Sequence, residues 1–224
     1  MPGDQMRILA LTDIHGAYDR VWQILRRESE YDVVVIGGDL TTLGIPQEAE
    51  HAIRQFQECG KPLLVVSGNM DPPELDGTFE SLGVSIDARG RIIDGVGFFG
   101  VSAAPLSPLK TPYEISEEEI QRRAESGWQD ARSAATFVFV PHAPPYNTNL
   151  DRTTSGRNVG SRAVREFIEI HKPHLVLCGH IHESWGKDTI GPTIMVNCGQ
   201  AGKGRYAIVD IGGEITVENC SASE

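Results

Sequence analysis

Five short apolar runs in this chain end in residue types that bind metal ions. Leu9-Ala10-Leu11-Thr12 leads into Asp13-Ile14-His15-Gly16, and Val33-Val34-Val35-Ile36 into Gly37-Gly38-Asp39. Leu64-Val65-Val66-Ser67 leads into Gly68-Asn69-Met70-Asp71, Phe137-Val138-Phe139-Val140 into Pro141-His142, and Leu175-Val176-Leu177-Cys178 into Gly179-His180-Ile181-His182. Any one of these pieces is common, but together they are not. Four of the seven histidines fall at these run ends. The other three, His51, His171 and His174, sit in or beside helical patterns and read as surface or structural. The set of Asp13, His15, Asp39, Asn69, His142, His180 and His182 therefore offers seven donors. That is too many for one transition ion and suits two ions sharing a bridge, for which a carboxylate is the natural group. The members of D-x-H and of H-x-H are spaced by two, so on an extended backbone they share a face. No cysteine is among the donors, which disfavours a structural zinc site and suits Mn, Fe, Zn, Ni, Co or Mg, with Mn favoured. Two dications beside two aspartates leave net positive charge for a phosphate. They also lower the pKa of a bridging water, which can then attack as hydroxide. The expected chemistry is metal-assisted phosphoester hydrolysis.

The elements that must position these donors alternate along the chain. Candidate strands are Arg7–Leu11, Asp32–Ile36, Pro62–Val66, Gly97–Val101, Thr136–Val140, His174–Cys178, Thr193–Val196 and Tyr206–Asp210. Several are β-branched and apolar throughout, as strands covered on both faces are. Helical patterns lie between them. Asp19 can cap one carrying Val21, Trp22, Ile24 and Leu25. Pro46 opens a second, with Gly60 beyond its end. Ser116 with Glu117-Glu118-Glu119 reads as a capping box, and Ser161 to His171 forms a fourth helix. Ser102 to Thr111 and Ala143 to Gly160 read as long loops, a length often tied to function. The class is α/β, and in such folds the carboxyl ends of the strands form the ligand crevice. No linker or repeat divides residues 1–224, so one domain is expected.

The 224 residues carry 20 Lys plus Arg against 31 Asp plus Glu, a formal charge of −11. That balance disfavours extended nucleic acid or anionic lipid as a partner and leaves a small anionic phosphoester as the substrate. Cys59, Cys178, Cys198 and Cys220 form no C-x-x-C pair and read as reduced thiols. The start lacks a signal-peptide pattern and no run of 18 apolar residues occurs, so a soluble cytoplasmic protein without a membrane span is expected. Tyr113, Trp128, Tyr146 and Trp185 read as loop-packing aromatics, and Met6 and Met195 as core.

The ordered set D-x-H, G-G-D, G-N, H and G-H-x-H resembles the calcineurin-like metallophosphoesterase superfamily. The resemblance implies a four-layer α-β-β-α sandwich of two mixed β-sheets flanked by helices. It implies that Asp13, His15 and His182 hold a first divalent ion, that Asn69, His142 and His180 hold a second, and that Asp39 bridges them. Asp39, Asn69 and His142 thereby gain catalytic as well as ligand roles. Asn197-Cys198-Gly199 and the strand after it resemble the family's closing strands. The stretches Ser107–Glu114 and Leu150–Gly156 resemble a prokaryotic, Icc-like branch of cyclic-nucleotide phosphodiesterases. In many members a histidine that can aid the leaving group follows Gly-Asn. Here Met70 stands there, and a thioether donates no proton. Arg152 and Arg157 are candidates for substrate phosphate, with Lys203 and Arg205 nearby. The alternative reading is a metallophosphoesterase-fold scaffold of little or no activity that binds a protein partner.

Overall fold

The computed structural model describes residues 5–222. In chain order the elements are β1 (Met6–Leu11), α1 (Tyr18–Arg27), β2 (Val33–Gly37), α2 (Pro46–Gln57), β3 (Leu63–Val66), α3 (Leu75–Ser81), β4 (Gly90–Ile93), β5 (Val96–Val101), β6 (Ala104–Pro105), β7 (Glu114–Ile115), α4 (Glu117–Ala131), β8 (Thr136–Pro141), α5 (Arg162–His171), β9 (Leu175–Cys178), β10 (Gly186–Ile190), β11 (Thr193–Asn197), β12 (Arg205–Ile211) and β13 (Ile215–Ser221). One sheet has the order β13-β12-β1-β2-β3 and the other β10-β11-β9-β8-β5-β4. Both are mixed. β1, β2 and β3 run parallel, as do β5, β8, β9 and β11, while β12, β13, β10 and β4 pair antiparallel at the edges.

The period of two along each strand builds the layers. Ile8, Ala10, Val33, Val35, Leu64 and Val66 of the first sheet meet Phe98, Val138, Val140, Leu175, Leu177 and Val196 of the second in one core. The alternate residues Leu9, Leu11, Val34, Ile36, Leu63 and Val65 face outward onto Val21, Ile24, Ile53, Phe56 and Phe79 of the first three helices. On the far side Phe99, Phe139, Val176 and Met195 meet Ile120, Ala124, Val164 and Phe167 of α4 and α5. Every central strand is therefore covered on both faces, which is why these strands read as unbroken apolar runs. The result is the four-layer α-β-β-α sandwich.

All eight expected strands are present, and local chemistry corrects some details. The N-cap of α1 is Ala17, not Asp19, and it makes no side-chain cap. Ala17 is already committed through its N–H to Ile14 O at 3.1 Å, so the turn after His15 fixes the helix start. Asp19 lies in the first turn, where a carboxylate suits the helix dipole. Only half of the capping box at Ser116 forms: Ser116 Oγ accepts from Glu119 N–H at 3.2 Å. The Glu119 carboxylate goes to Arg122 and Arg123 instead. Ser161 Oγ caps α5 by accepting from Val164 N–H. The β4–β5 hairpin, not among the expected elements, turns on Asp94-Gly95, both at positive φ, as an Asp-Gly hairpin turn requires. All four cysteines are free thiols. Met6 and Met195 are buried, and no helix among the described residues is long and apolar enough to cross a membrane.

Candidate metal centre

The five loops that follow β1, β2, β3, β8 and β9 meet at one edge of the two sheets, at the carboxyl ends of parallel strands. Three loops come from the first sheet and two from the second. Asp13, His15 and His182 each bring a donor atom within 4.8 Å of the others, and so do Asp13, Asp39 and His142. His15 Nε2 is 3.2 Å from His182 Nε2. Asp13 Oδ1 lies 3.3 Å from His182 Nε2. Asn69 Oδ1 lies between His142 Nε2 at 3.0 Å and His180 Nδ1 at 2.7 Å. Asp39 Oδ2 stands between the two groups, 3.8 Å from His15 Nε2 and 3.6 Å from His142 Nε2. All seven donors expected from the sequence are thus brought together.

The donor chemistry fits cations. His142 Nδ1 lies 2.8 Å from the Gly37 carbonyl. A carbonyl only accepts, so Nδ1 carries the proton and the Nε2 lone pair faces Asn69 Oδ1, another acceptor. With the amide turned this way, a cation between the two atoms would satisfy both. Burial, with His142 and His182 nearby, holds His180 down to about 3, so its ring is neutral at pH 7 and free to ligate. Burial lowers His15 as well. His182 is raised by its hydrogen bond with Asp13. Burial pushes Asp13 up, yet its hydrogen bond with His182 and the nearby His142 and His182 bring it below its usual range. Asp39 is pushed up to about 7, mainly by burial and also by Asp13 and Asp71. Two buried carboxylates facing four imidazoles form an electron-rich cage, suited to divalent ions.

The glycines beside the donors have a steric reason. A Cβ on Gly68 would fall on the Asp39 carboxylate, one on Gly179 on the Asp13 carboxylate, and one on Gly38 on the His142 ring. The donors themselves occupy unusual backbone: Asp13, His15, Asp39 and His180 have φ of 55°, 51°, 53° and 68°. The left-handed region costs a non-glycine residue energy, and such residues cluster at functional sites.

Several groups that hold the donors received no role from the sequence. Asp71, fully buried, accepts from the N–H groups of Leu40, Thr41 and Gly68 and from Thr41 Oγ1. It thereby ties the Asp39 loop to the Asn69 loop. Thr42 Oγ1 pairs with His15 Nδ1 at 2.8 Å. The signal for Asp71 was its place two residues after Asn69, but nothing in the sequence showed which loop it would bind.

The cationic candidates are not drawn into the cage. Arg152, Arg157 and Lys203 are exposed, and neither guanidinium of Arg152 or Arg157 has a hydrogen-bond or ion-pair partner among the described residues. The backbone N–H of Arg152 donates to Ser184 Oγ at 3.1 Å, two residues past His182, and its side chain lines a hollow with Glu183 and Lys187. Arg205 donates to the His182 carbonyl at 3.3 Å and lies over Trp185. Tyr113, Trp128, Tyr146 and Trp185 pack against the body as expected.

Comparison with known proteins decides the family. The model for the calcineurin-like phosphoesterases matches residues 6–184, from β1 through the last donor. This chain belongs to that family. It is accordingly a metal-dependent phosphoric ester hydrolase. Among family relatives, protein MJ1162 of Methanocaldococcus jannaschii is 32% identical over 197 residues, covering 86% of this chain and 87% of its own. A Synechococcus protein named "Probable cyclic nucleotide phosphodiesterase" is 25% identical over 162 residues, 69% of this chain and 59% of its own. The crystal structure of TT1561 of Thermus thermophilus shares the calcineurin-like fold, with a TM-score of 0.76 at 19% identity over 96% of this chain and 99% of that one.

Proposed function

We propose that this chain is a dinuclear phosphodiesterase that uses two divalent cations, manganese foremost, to hydrolyse small phosphodiesters, cyclic nucleotides among them. The observation that carries the reading is the convergence of seven donors on one crevice, with Asp39 Oδ2 between two imidazoles. Asp13, His15 and His182 would hold one cation, Asn69, His142 and His180 the other, and Asp39 both. When bound, the pair supplies positive charge for phosphate oxygens and acidifies water.

The chain's own residues orient the reaction. The Gly37 carbonyl fixes the tautomer and plane of His142, a support that raises ligand basicity. Met70 N–H holds one oxygen of Asp39, leaving the other for the site. The side chain of Met70 donates no proton, which favours esters whose leaving group departs readily or is stabilised by charge. Arg152 and Arg157, exposed and with guanidinium groups that have no partner among the described residues, are the proposed contacts for the substrate's remaining negative charge. A diester is preferred to a monoester because of Met70 and because a relative bears a cyclic-nucleotide phosphodiesterase name. The free cysteines suit a cytoplasmic setting, and we assign the activity to one domain spanning residues 1–224. A scaffold that had lost turnover would have no need to retain all seven donors, which speaks against that alternative.

The test is hydrolysis of bis-p-nitrophenyl phosphate beside p-nitrophenyl phosphate by chelated protein. Mn, Ni, Zn, Mg or no metal is added back, with Asp39→Asn as control. Metal-dependent cleavage of the diester in excess over the monoester, lost in the variant, is the expected result. Two bound ions with no cleavage of either ester would sink the proposal.

A further inference from the structure

Against the segment Ser67–Asn69 lies a second polar cluster, none of whose side chains is among the seven donors. Asp76 on α3 accepts from Tyr113 OH at 2.5 Å, from Ser67 Oγ at 2.7 Å and from Ser102 Oγ at 2.9 Å. Arg123 on α4 donates through Nη1 to Tyr113 OH at 2.8 Å and to Asp87 at 2.9 Å, and lies 3.5 Å from Asp76. Its Nε is held by Glu119 at 2.8 Å. Asp87 in turn accepts from Ser102 N–H at 2.7 Å, and Ser102 Oγ accepts from Ser67 N–H at 2.9 Å.

Two strands of this network end on one short segment. Tyr113 N–H donates to the Asn69 carbonyl at 3.0 Å, so the residue whose hydroxyl is clamped by Asp76 and Arg123 also grips the backbone of a donor. Ser67, two residues before Asn69, is bonded through its hydroxyl, its N–H and its carbonyl, the last from Ala103 N–H at 3.1 Å. Between them lies Gly68, which has no side chain to hold the segment and must leave room for Asp39. The external clamp supplies what the glycine lacks. The side chain of Arg123 is 16% exposed and that of Asp87 11%, and polar networks this withdrawn from water hold fixed geometry when fully satisfied.

We propose that Asp76, Tyr113 and Arg123 act as positioning residues for the metal ion that Asn69 would hold, fixing the Ser67–Asn69 segment through its hydrogen bonds. They touch neither substrate nor ion. The proposal rests on the two-cation reading above. Supporting groups of this kind typically change metal affinity by about 10–100-fold when altered.

The test is titration of chelated protein with Co2+, followed by visible absorbance and checked by calorimetry. Wild type is expected to take up two ions. Tyr113→Phe, which removes one oxygen and keeps the backbone bond to Asn69, and Asp76→Asn should weaken one of the two by about 10–100-fold and spare the other. Arg123→Lys keeps the charge, has a single nitrogen for four partners, and should fall between; it also serves if either other variant fails to fold. Phe56→Leu, a core residue of α2, lowers stability without removing any polar group of the cluster and should bind both ions as wild type does. Two unchanged affinities in the cluster variants would overturn the proposal. So would parallel weakening of both sites matched by Phe56→Leu, since that would be loss of stability alone. A wild-type chain that takes up no cobalt would overturn the two-cation reading and this proposal with it, whereas two ions in wild type with unaltered variants would overturn this proposal alone.

Discussion

Asp39 Oδ1 accepts the Met70 N–H at 2.7 Å across 31 residues of sequence. One oxygen of the carboxylate thus belongs to the fold and the other to the metal centre. Asp39→Asn can keep the bond to Met70 by turning its carbonyl that way. It then places an amide N–H2 where Oδ2 stood, a donor among lone pairs. Metal content should fall below two per chain, and diester hydrolysis by on the order of 100-fold or more. Elemental analysis beside the diester assay checks this, and full metal content at wild-type rate would refute it.

The same carboxyl gives the metal-free chain a pH signature. Folded, Asp39 holds its proton to about pH 7; unfolded, it releases it near 3.8. Its contribution to stability is therefore complete below the lower value and is lost as pH rises to the upper one. His180, held at about 3 when folded, works in the opposite direction over the acidic part of that range. Comparison with Asp39→Asn isolates the aspartate: in chelator, the variant should gain on wild type in melting temperature between about pH 4 and pH 7. A constant difference across that window would refute the assignment, and saturating metal should abolish the gain.

Gly68→Ala should damage the centre without touching a donor. The added methyl meets the Asp39 carboxylate and main chain, and neither can retreat because Asp39 is tied to Met70 and Asp71 holds the loop. Overpacking of this kind costs about 1–3 kcal/mol. Thermal unfolding should show that loss, with metal affinity reduced alongside. Wild-type metal binding in a stably folded Gly68→Ala would count against the tight seating of Asp39.

Asp71→Asn replaces a buried acceptor of four hydrogen bonds with a group whose amide N–H2 must face at least one backbone N–H, donor against donor. A stability loss of about 1–3 kcal/mol follows, with both the Asp39 and Asn69 loops loosened. Denaturant melts with and without manganese distinguish the two effects: the gap between wild type and variant should widen when metal is added.

Met70→His supplies the proton donor that the thioether lacks. Turnover of alkyl phosphodiesters, whose leaving groups need protonation, should rise more than that of aryl diesters, which do not. Equal effects on both would show that the position does not face the leaving group.

The legible part of this protein was what repeats a simple physical rule. Central strands such as Val33–Gly37, buried on both faces, must be apolar throughout, and the donors at their ends sit beside glycines because Asp13, Asp39 and His142 press against those backbones. The edges were less legible. β13 alternates half-buried and exposed residues and carries Glu218 and Asn219, so its pattern is weak and pairing with β12 decides its fate. α3 is seven residues long with Gly77 inside, too short to show a periodicity. Within the centre, donor identities were readable, but the supports were not: Asp71 serves residues up to 31 positions away, and the Asp76–Tyr113–Arg123 cluster draws on two helices and a loop. Long-range polar partnership leaves no local pattern in the chain.

Four donors, Asp13, His15, Asp39 and His180, sit in left-handed backbone, and this sets a limit on engineering. A search for heat-resistant variants that screens only for folding would be drawn to glycine at these places, where it relieves torsional strain. Each success would remove a donor. Thermal tolerance and turnover are thus in direct competition at these four residues, and a robust catalyst has to be sought by substitutions elsewhere in the sandwich.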